Sequence, residues 1–527
     1  MAVGGAAVLG LAPFFIWPLA LLCFAWLALR LERRARAPIN AGKLCRSSGF
    51  WFALGYFLLG LFWIGSAFIA RGPSYIPLMI PAVLLLCALL SLFWTVAAHL
   101  YAALRPRGVW APVIFASVLS IAEILRGHLL SGFPWNLPGY IFKSGGAASQ
   151  SASLIGIYGL TFLVFLLAGT LAHCLKPRPP SAQDSRAGSE RTAGLIFLVT
   201  LMGLFGFGFL RLGLADDIAF HDDITLRIVQ TPFAQKDNLD PGGSVAIAND
   251  YLTQTAAPGL ESVTHVIWPE GAVNGLALEN QALIRAVSDL FLSFDDSPPY
   301  WLVNSLRQET RPSPQGQAID YYYNSSASVK FGADGSAAIA AINDKVKLVP
   351  FGEGLPGGRF LERYGIAPMS TASSFVTAAP EKDLAIFPGL PPLSAHICYE
   401  IIFSGLTPRP KDAAPAQWIL NQSNDGWYGK SSGPQQHANQ AAYRAIEEGL
   451  PILRSAGNGI SGVIDPYGRW HIRAGPNDEI ALDSQLPLPL EKPLFSIYLI
   501  WVLFLINIST CLVCGTRWGR RHTVDVP

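Results

Sequence analysis

Uncharged apolar runs occupy residues 13–29, 50–70, 76–104, 109–122, 154–175, 193–210 and 494–513. A helix that crosses a hydrocarbon layer of about 30 Å needs roughly 20 apolar residues. These runs therefore predict seven transmembrane helices, and the uncharged first twelve residues leave room for a short eighth. The fourth run is the weakest, because Glu123 and Arg126 stand at its end, three apart on one helical face, where they read as an interfacial ion pair. No basic segment precedes the first run, which argues against a cleaved signal peptide. Arg and Lys concentrate in alternate connections: RLERRARAPINAGKLCR, RPRG, KPRPPSAQDSRAGSER and the terminal RWGRR. By the positive-inside tendency these face the cytoplasm, so the long polar stretch before the last run lies on the other side.

From residue 224 to 483 the pattern changes. ITLRIVQT, VTHVIWPE, YWLVNS, YYYNSSASVKF, AAIAAIND, SAHICYE, AQWILNQS and GISGVIDPYGRW read as strands bounded by turn residues. GGSVAIANDYLTQTAA, NQALIRAVSDLFLSF and QQHANQAAYRAIEEGLPIL carry the spacing of amphipathic helices. Interleaved strands and helices predict a layered α/β domain.

Composition agrees with a chain part membrane and part domain: 51% hydrophobic and 14% charged residues, with a net charge of +2. So small a charge gives no reason to expect nucleic acid. Neither a phosphate-binding glycine loop nor a H-E-x-x-H pair occurs, so no cofactor or metal is expected. Of seven cysteines, only Cys398 lies in the polar stretch; CLVC, at Cys511 and Cys514, sits inside an apolar run and reads as packed or lipid-facing surface. A lone cysteine is either a small buried hydrophobe or a reactive thiol.

Three strand ends deliver ionisable groups: Glu270 in VIWPEGA, Lys345, Lys347 and Glu353 in INDKVKLVPFGEGLP, and Cys398 with Glu400 in ICYE. Such a set suits acyl transfer through a thioester, since a thiol needs a base and a tetrahedral oxyanion needs a positive group. Ordinary ion pairs would account for the Glu and Lys residues equally well. His396, two residues before Cys398 on a strand, shares its face at a Cβ separation of about 6–7 Å, so a hydrogen-bonded buried histidine is the better reading than a Cys/His pair.

These phrases, with LRGHLLSGFPWNLPGY, NQSNDGWYG, GPQQH and RAIEEGLPILRSAGNGISGVIDPYGR, occur in an order that resembles the apolipoprotein N-acyltransferases, membrane members of the nitrilase superfamily of carbon–nitrogen hydrolases. The resemblance implies an αββα sandwich over residues 222–486, membrane helices over 1–215 (six or seven spans), a last transmembrane helix at 493–515 and a cytoplasmic tail at 516–527. It implies Glu270 as base, Lys345 as oxyanion stabiliser and Cys398 as nucleophile. Lys345 is preferred to Lys347 because the family lysine stands eight residues before the glutamate of its F-G-E phrase, here Glu353. Glu353, Tyr399 and Glu400 would support the triad, and Asn424 and Trp427 would line the pocket. The implied partners are a phospholipid acyl donor, a diacylated apolipoprotein acceptor and the bilayer, with the chain a monomer in the bacterial inner membrane and its catalytic domain periplasmic. Mobile apolar loops at 354–360 and 364–369 would keep water from the thioester. A departure is Leu239, near where the family commonly has a tryptophan. A membrane-tethered amidase or nitrilase, and a non-catalytic membrane paralogue, stand as alternatives.

Overall fold

The computed structural model of the chain describes residues 1–176, 183–233, 235–292, 294, 298–312, 318–354, 378–491, 495 and 497–522. Their contacts divide the chain into two compact units, Met1–Ile69 with Pro73–Ala215 and Pro493–Pro527, and Asp216–Lys492 with Ala70–Gly72.

Among the described residues, six helices of the first unit are long and apolar enough to cross a membrane: Ala41–Ala70, Pro73–Leu104, Trp110–His128, Ala148–Cys174, Gly188–Gly213 and Tyr498–Thr516. The first apolar run is not among them. Pro18 stands at the first turn of its helix, Trp17–Ala35, which ends in RLERRA. Delayed at one end and charged at the other, it keeps an uncharged stretch of only residues 17–29, short of a full span. Ahead of it, the uncharged amino terminus forms a short helix, Ala2–Ala7, and a 3₁₀ turn, Val8–Gly10.

Glu123 and Arg126 form the ion pair that their spacing predicts, inside the protein. Both side chains are fully buried and their ion pair measures 2.5 Å. Trp94 Nε1 donates to Glu123 at 2.6 Å, and the guanidinium donates to the carbonyls of Phe133 and Trp135 at 2.5 and 3.0 Å. The loop after the helix turns back through left-handed Leu130, Ser131 and Asn136, and so brings those carbonyls to the charge. A buried ion pair is tolerable only when its remaining hydrogen-bonding capacity is met in this way.

The second unit is a sandwich of two sheets. Strands β1 (Phe220–Gln230), β2 (His265–Ile267), β3 (Tyr300–Pro312), β4 (Ala318–Phe331), β5 (Ala337–Asp344), β6 (Leu393–Ile397), β7 (Trp418–Asn424), β8 (Ile452–Gly457), β9 (Gly462–Ile464), β10 (Trp470–Arg473) and β11 (Ile480–Pro487) form a six-stranded sheet, β11-β1-β2-β3-β4-β5, and a five-stranded one, β10-β9-β8-β7-β6. Strand alternation separates the two faces. Leu226, Ile228, Ile267 and Leu302 meet Leu393, Ala395, Trp418, Leu420 and Leu453 between the sheets. Their neighbours Val229, Val266, Trp268, Trp301 and Val303 pack outward under Ile247 and Tyr251 of helix Pro241–Thr255 and Leu283, Val287 and Phe291 of helix Gln281–Phe291. Helix Gly433–Glu448 packs against β8 of the second sheet and is buried along almost its whole length. This is the αββα arrangement.

Two strands differ from the sequence reading. QQHANQAAYRAIEEGLPIL does not continue as one helix, because Gly449 adopts a left-handed cap (φ 65°) and Pro451 cannot extend it, so the chain turns into β8. β11, within the polar phrase ending IALDSQLP, pairs antiparallel with β1, and its burial alternates only at its end.

Candidate active site

The candidate residues stand where strands of the two sheets end. Glu270 follows β2 through Trp268 and Pro269; Gln422 of β7 holds that passage by donating to the Trp268 carbonyl at 2.7 Å while accepting from Ser326 at 2.6 Å. Lys345 is the residue after β5, and its N–H donates to the Asn324 carbonyl at 2.9 Å. Cys398 follows β6 with φ 50°, a left-handed conformation unusual for a side chain with a Cβ, and opens the 3₁₀ helix Cys398–Ile402.

Lys345 is fully buried, with its ammonium 2.8 Å from Glu353 Oε1 and 3.7 Å from Glu270 Oε1. Asn324 Nδ2 donates to both carboxylates, at 2.8 Å to Glu270 and 3.0 Å to Glu353, and the N–H of Asn424 donates to the other oxygen of Glu270 at 3.0 Å. Burial alone would lower the Lys345 pKa, but the charges of Glu353 and Glu270 outweigh it and hold the pKa above its usual value, so the ammonium stays charged. The Cys398 thiol is pushed the other way from reactivity: burial first, then the Glu270 carboxylate, raise its pKa despite Lys345. The resting thiol is therefore protonated and reacts only with a base at hand. Lys347 turns elsewhere, its ammonium 5.4 Å from the centre of the Phe403 ring.

Glu400 ties the cysteine turn to the lysine segment. Its Oε2 accepts from the Ile397 N–H at 2.9 Å and from Lys382 at 2.7 Å, while Oε1 accepts from the N–H groups of Val346 and Lys347 at 2.8 and 3.1 Å. Tyr399 is buried edge-on to Phe403, with ring centres 5.1 Å apart. Asn424, expected to line a pocket, spends its side chain on the next turn, accepting from the Gly426 N–H at 3.0 Å; only its backbone reaches Glu270. Trp427 is half-buried in that turn. His396 is buried and bonded to Ser394 at 2.9 Å, and burial keeps its pKa well below the usual value. Leu239 is half-buried between helices Gln235–Asn238 and Pro241–Thr255. Of the two expected covering loops, 364–369 and all of 354–360 except Gly354 lie outside the described residues.

The sequence reading missed Asn324, Asp425, His437 and Arg454. Asp425 is buried, and Arg454 and His437 hold its pKa at about 2 although burial opposes them. The signal in the sequence was the polar run NQSN closing the apolar phrase AQWIL; in the structure every residue of β7 is buried. A buried polar strand must be satisfied by something specific.

The family model for the apolipoprotein N-acyltransferase N-terminal domain matches residues 3–170, and the carbon–nitrogen hydrolase model matches residues 301–489. An apolipoprotein N-acyltransferase of Caulobacter vibrioides is 36% identical over 92% of this chain and 87% of its own length. The chain belongs to the apolipoprotein N-acyltransferase family. Proteins of the same name from Rhodopseudomonas palustris and Bradyrhizobium diazoefficiens are each 32% identical, over 94% and 98% of this chain and 90% and 94% of their own. These three relatives carry the name of an acyltransferase rather than of a hydrolase, so neither the amidase or nitrilase reading nor the non-catalytic one is favoured.

Proposed function

We propose that the protein moves an acyl chain from a membrane phospholipid to the free α-amine of a diacylglyceryl-cysteine at the amino terminus of a lipoprotein, through a thioester on Cys398. The observation that carries the reading is a buried cysteine on a left-handed turn, beside a buried ammonium that is itself 3.7 Å from a carboxylate, in a chain whose described residues include six membrane-length apolar helices. Glu270 takes the thiol proton as Cys398 attacks the ester carbonyl. The oxyanion is met by Lys345, of whose three N–H groups Glu353 engages one. The C–O bond breaks, and the lysophospholipid leaves with the proton held by Glu270. The lipoprotein amine then attacks the thioester, gives its proton to Glu270 and is released as the amide, while the thiolate regains a proton. Asn324 and Glu353 keep Glu270 and Lys345 in register.

The test is transfer of a labelled acyl group by the purified protein from phospholipid to a synthetic diacylated lipopeptide. Label in the lipopeptide that resists neutral hydroxylamine is the expected amide; release of free fatty acid alone would make the protein a hydrolase.

In this reading residues 222–486 are a catalytic domain outside the bacterial inner membrane, residues 493–515 return the chain through it, 516–527 are cytoplasmic, and one chain is enough for activity. Single cysteines introduced into RLERRARAPINAGKLCR or RWGRR should resist an impermeant maleimide on intact spheroplasts and react after permeabilisation. Labelling without permeabilisation would reverse the topology.

A further inference from the structure

The nucleophile sits on a five-residue 3₁₀ helix, Cys398–Ile402, at the end of a strand. So short a helix does little to hold a left-handed residue. Besides the Glu400 contacts described above, it is held from helix Gly433–Glu448. His437 Nε2 lies 3.2 Å from the Cys398 carbonyl oxygen, and since a carbonyl only accepts, that nitrogen carries the hydrogen. Two turns on, Arg444 donates to the Ile402 carbonyl at 3.1 Å. Glu447 accepts from Ser404 at 3.0 Å, and Glu448 accepts from Arg409 at 2.9 Å. Positions 437, 444, 447 and 448 share one helical face, and all four side chains are buried. The imidazole is itself held: Nδ1 lies 3.0 Å from Asp425 Oδ1 and 3.2 Å from Arg454 Nη2, and Arg454 donates to Asp425 Oδ2 at 2.7 Å.

We infer that helix Gly433–Glu448 is the positioning element of the nucleophile, with His437 fixing the Cys398 carbonyl and Arg444 the far end of the turn, so that the thiol is kept in its left-handed, attack-ready conformation. His437 does not touch the reacting atoms; it acts through the backbone of Cys398. The imidazole sits between opposite charges: burial and then Arg454 lower its pKa, while Asp425 pulls it up. The role rests on Cys398 being the acyl carrier, and the test separates the two ideas.

Full-length protein in detergent is compared with His437→Ala and His437→Gln, the latter keeping an N–H donor near the Nε2 position. Misplacing a reacting atom by about 1 Å costs roughly 100-fold in rate. His437→Ala should therefore lower kcat by about that factor with KM little changed, and His437→Gln should recover most of it. Full activity in His437→Ala, or equal losses in both variants with equal falls in melting temperature, would overturn the positioning role. Alkylation of Cys398 by iodoacetamide, resolved by peptide mass spectrometry against the other six cysteines, is read in parallel. A change selective for Cys398 in His437→Ala and reversed in His437→Gln supports the role even if no acyl adduct forms on the original protein, which would sink the proposed function alone; identical alkylation in all three proteins counts against the role.

Discussion

Cys398→Ala should carry no hydroxylamine-labile label after incubation with phospholipid bearing a labelled acyl chain, whereas the original protein should carry it. Neutral hydroxylamine cleaves thioesters and spares amides, so the label reports the intermediate rather than the product. Cys398→Ser should fail as well. A serine hydroxyl ionises far less readily than a thiol, and the burial and Glu270 charge that already raise the thiol pKa would act against an alkoxide too. The fold should survive the alanine: Ala bears the same left-handed φ as Cys, and loss of one sulfur costs on the order of 1–2 kcal/mol. Glu270→Gln should also lose turnover with the thiol still present, by about 10²–10⁴-fold if proton transfer is what the carboxylate supplies. Equal labelling of the original protein and Cys398→Ala would reduce Cys398 to a packed core residue and end the proposed mechanism.

The strand ends that carry Glu270, Lys345 and Cys398 were legible because each is a short apolar run closed by an ionisable residue, a pattern that survives translation into structure as β2, β5 and β6. What could not be read was anything set by partners distant in sequence. Asn324 stands in YYYNSSASVKF with no local mark of its importance; it matters because β4 lies beside β5 and points that amide at two carboxylates 54 and 29 residues away. His437 stands in GPQQH with no local mark of its contact with the Cys398 carbonyl, which spans 39 residues. Helical spacing likewise showed that Glu123 and Arg126 pair, but not that a returning loop, with its carbonyls, makes their burial tenable. Helix boundaries failed where a single backbone conformation decides, as at Gly449.

The choice between Lys345 and Lys347 has the sharpest consequence. Lys345→Met removes the only charge of the pair that lies against Glu270 and Glu353, and the loss of an oxyanion donor costs about 10²–10³-fold in rate. It should also cost stability, because two carboxylates with side chains only 14% and 15% exposed lose their counter-ion; breaking such a pair typically costs about 3–5 kcal/mol, and their residual exposure favours the lower end. Lys347→Met should leave transfer activity near that of the original protein, since its ammonium meets only the face of Phe403 while the backbone N–H that Glu400 accepts from is retained. The two costs of Lys345→Met can be pulled apart. Adding Glu353→Gln removes one of the uncompensated charges, so the double variant should melt above Lys345→Met while remaining equally inactive. Activity that returned with stability would make Lys345 a structural counter-ion only, and loss of activity in Lys347→Met instead would place the oxyanion stabiliser two residues further along the chain.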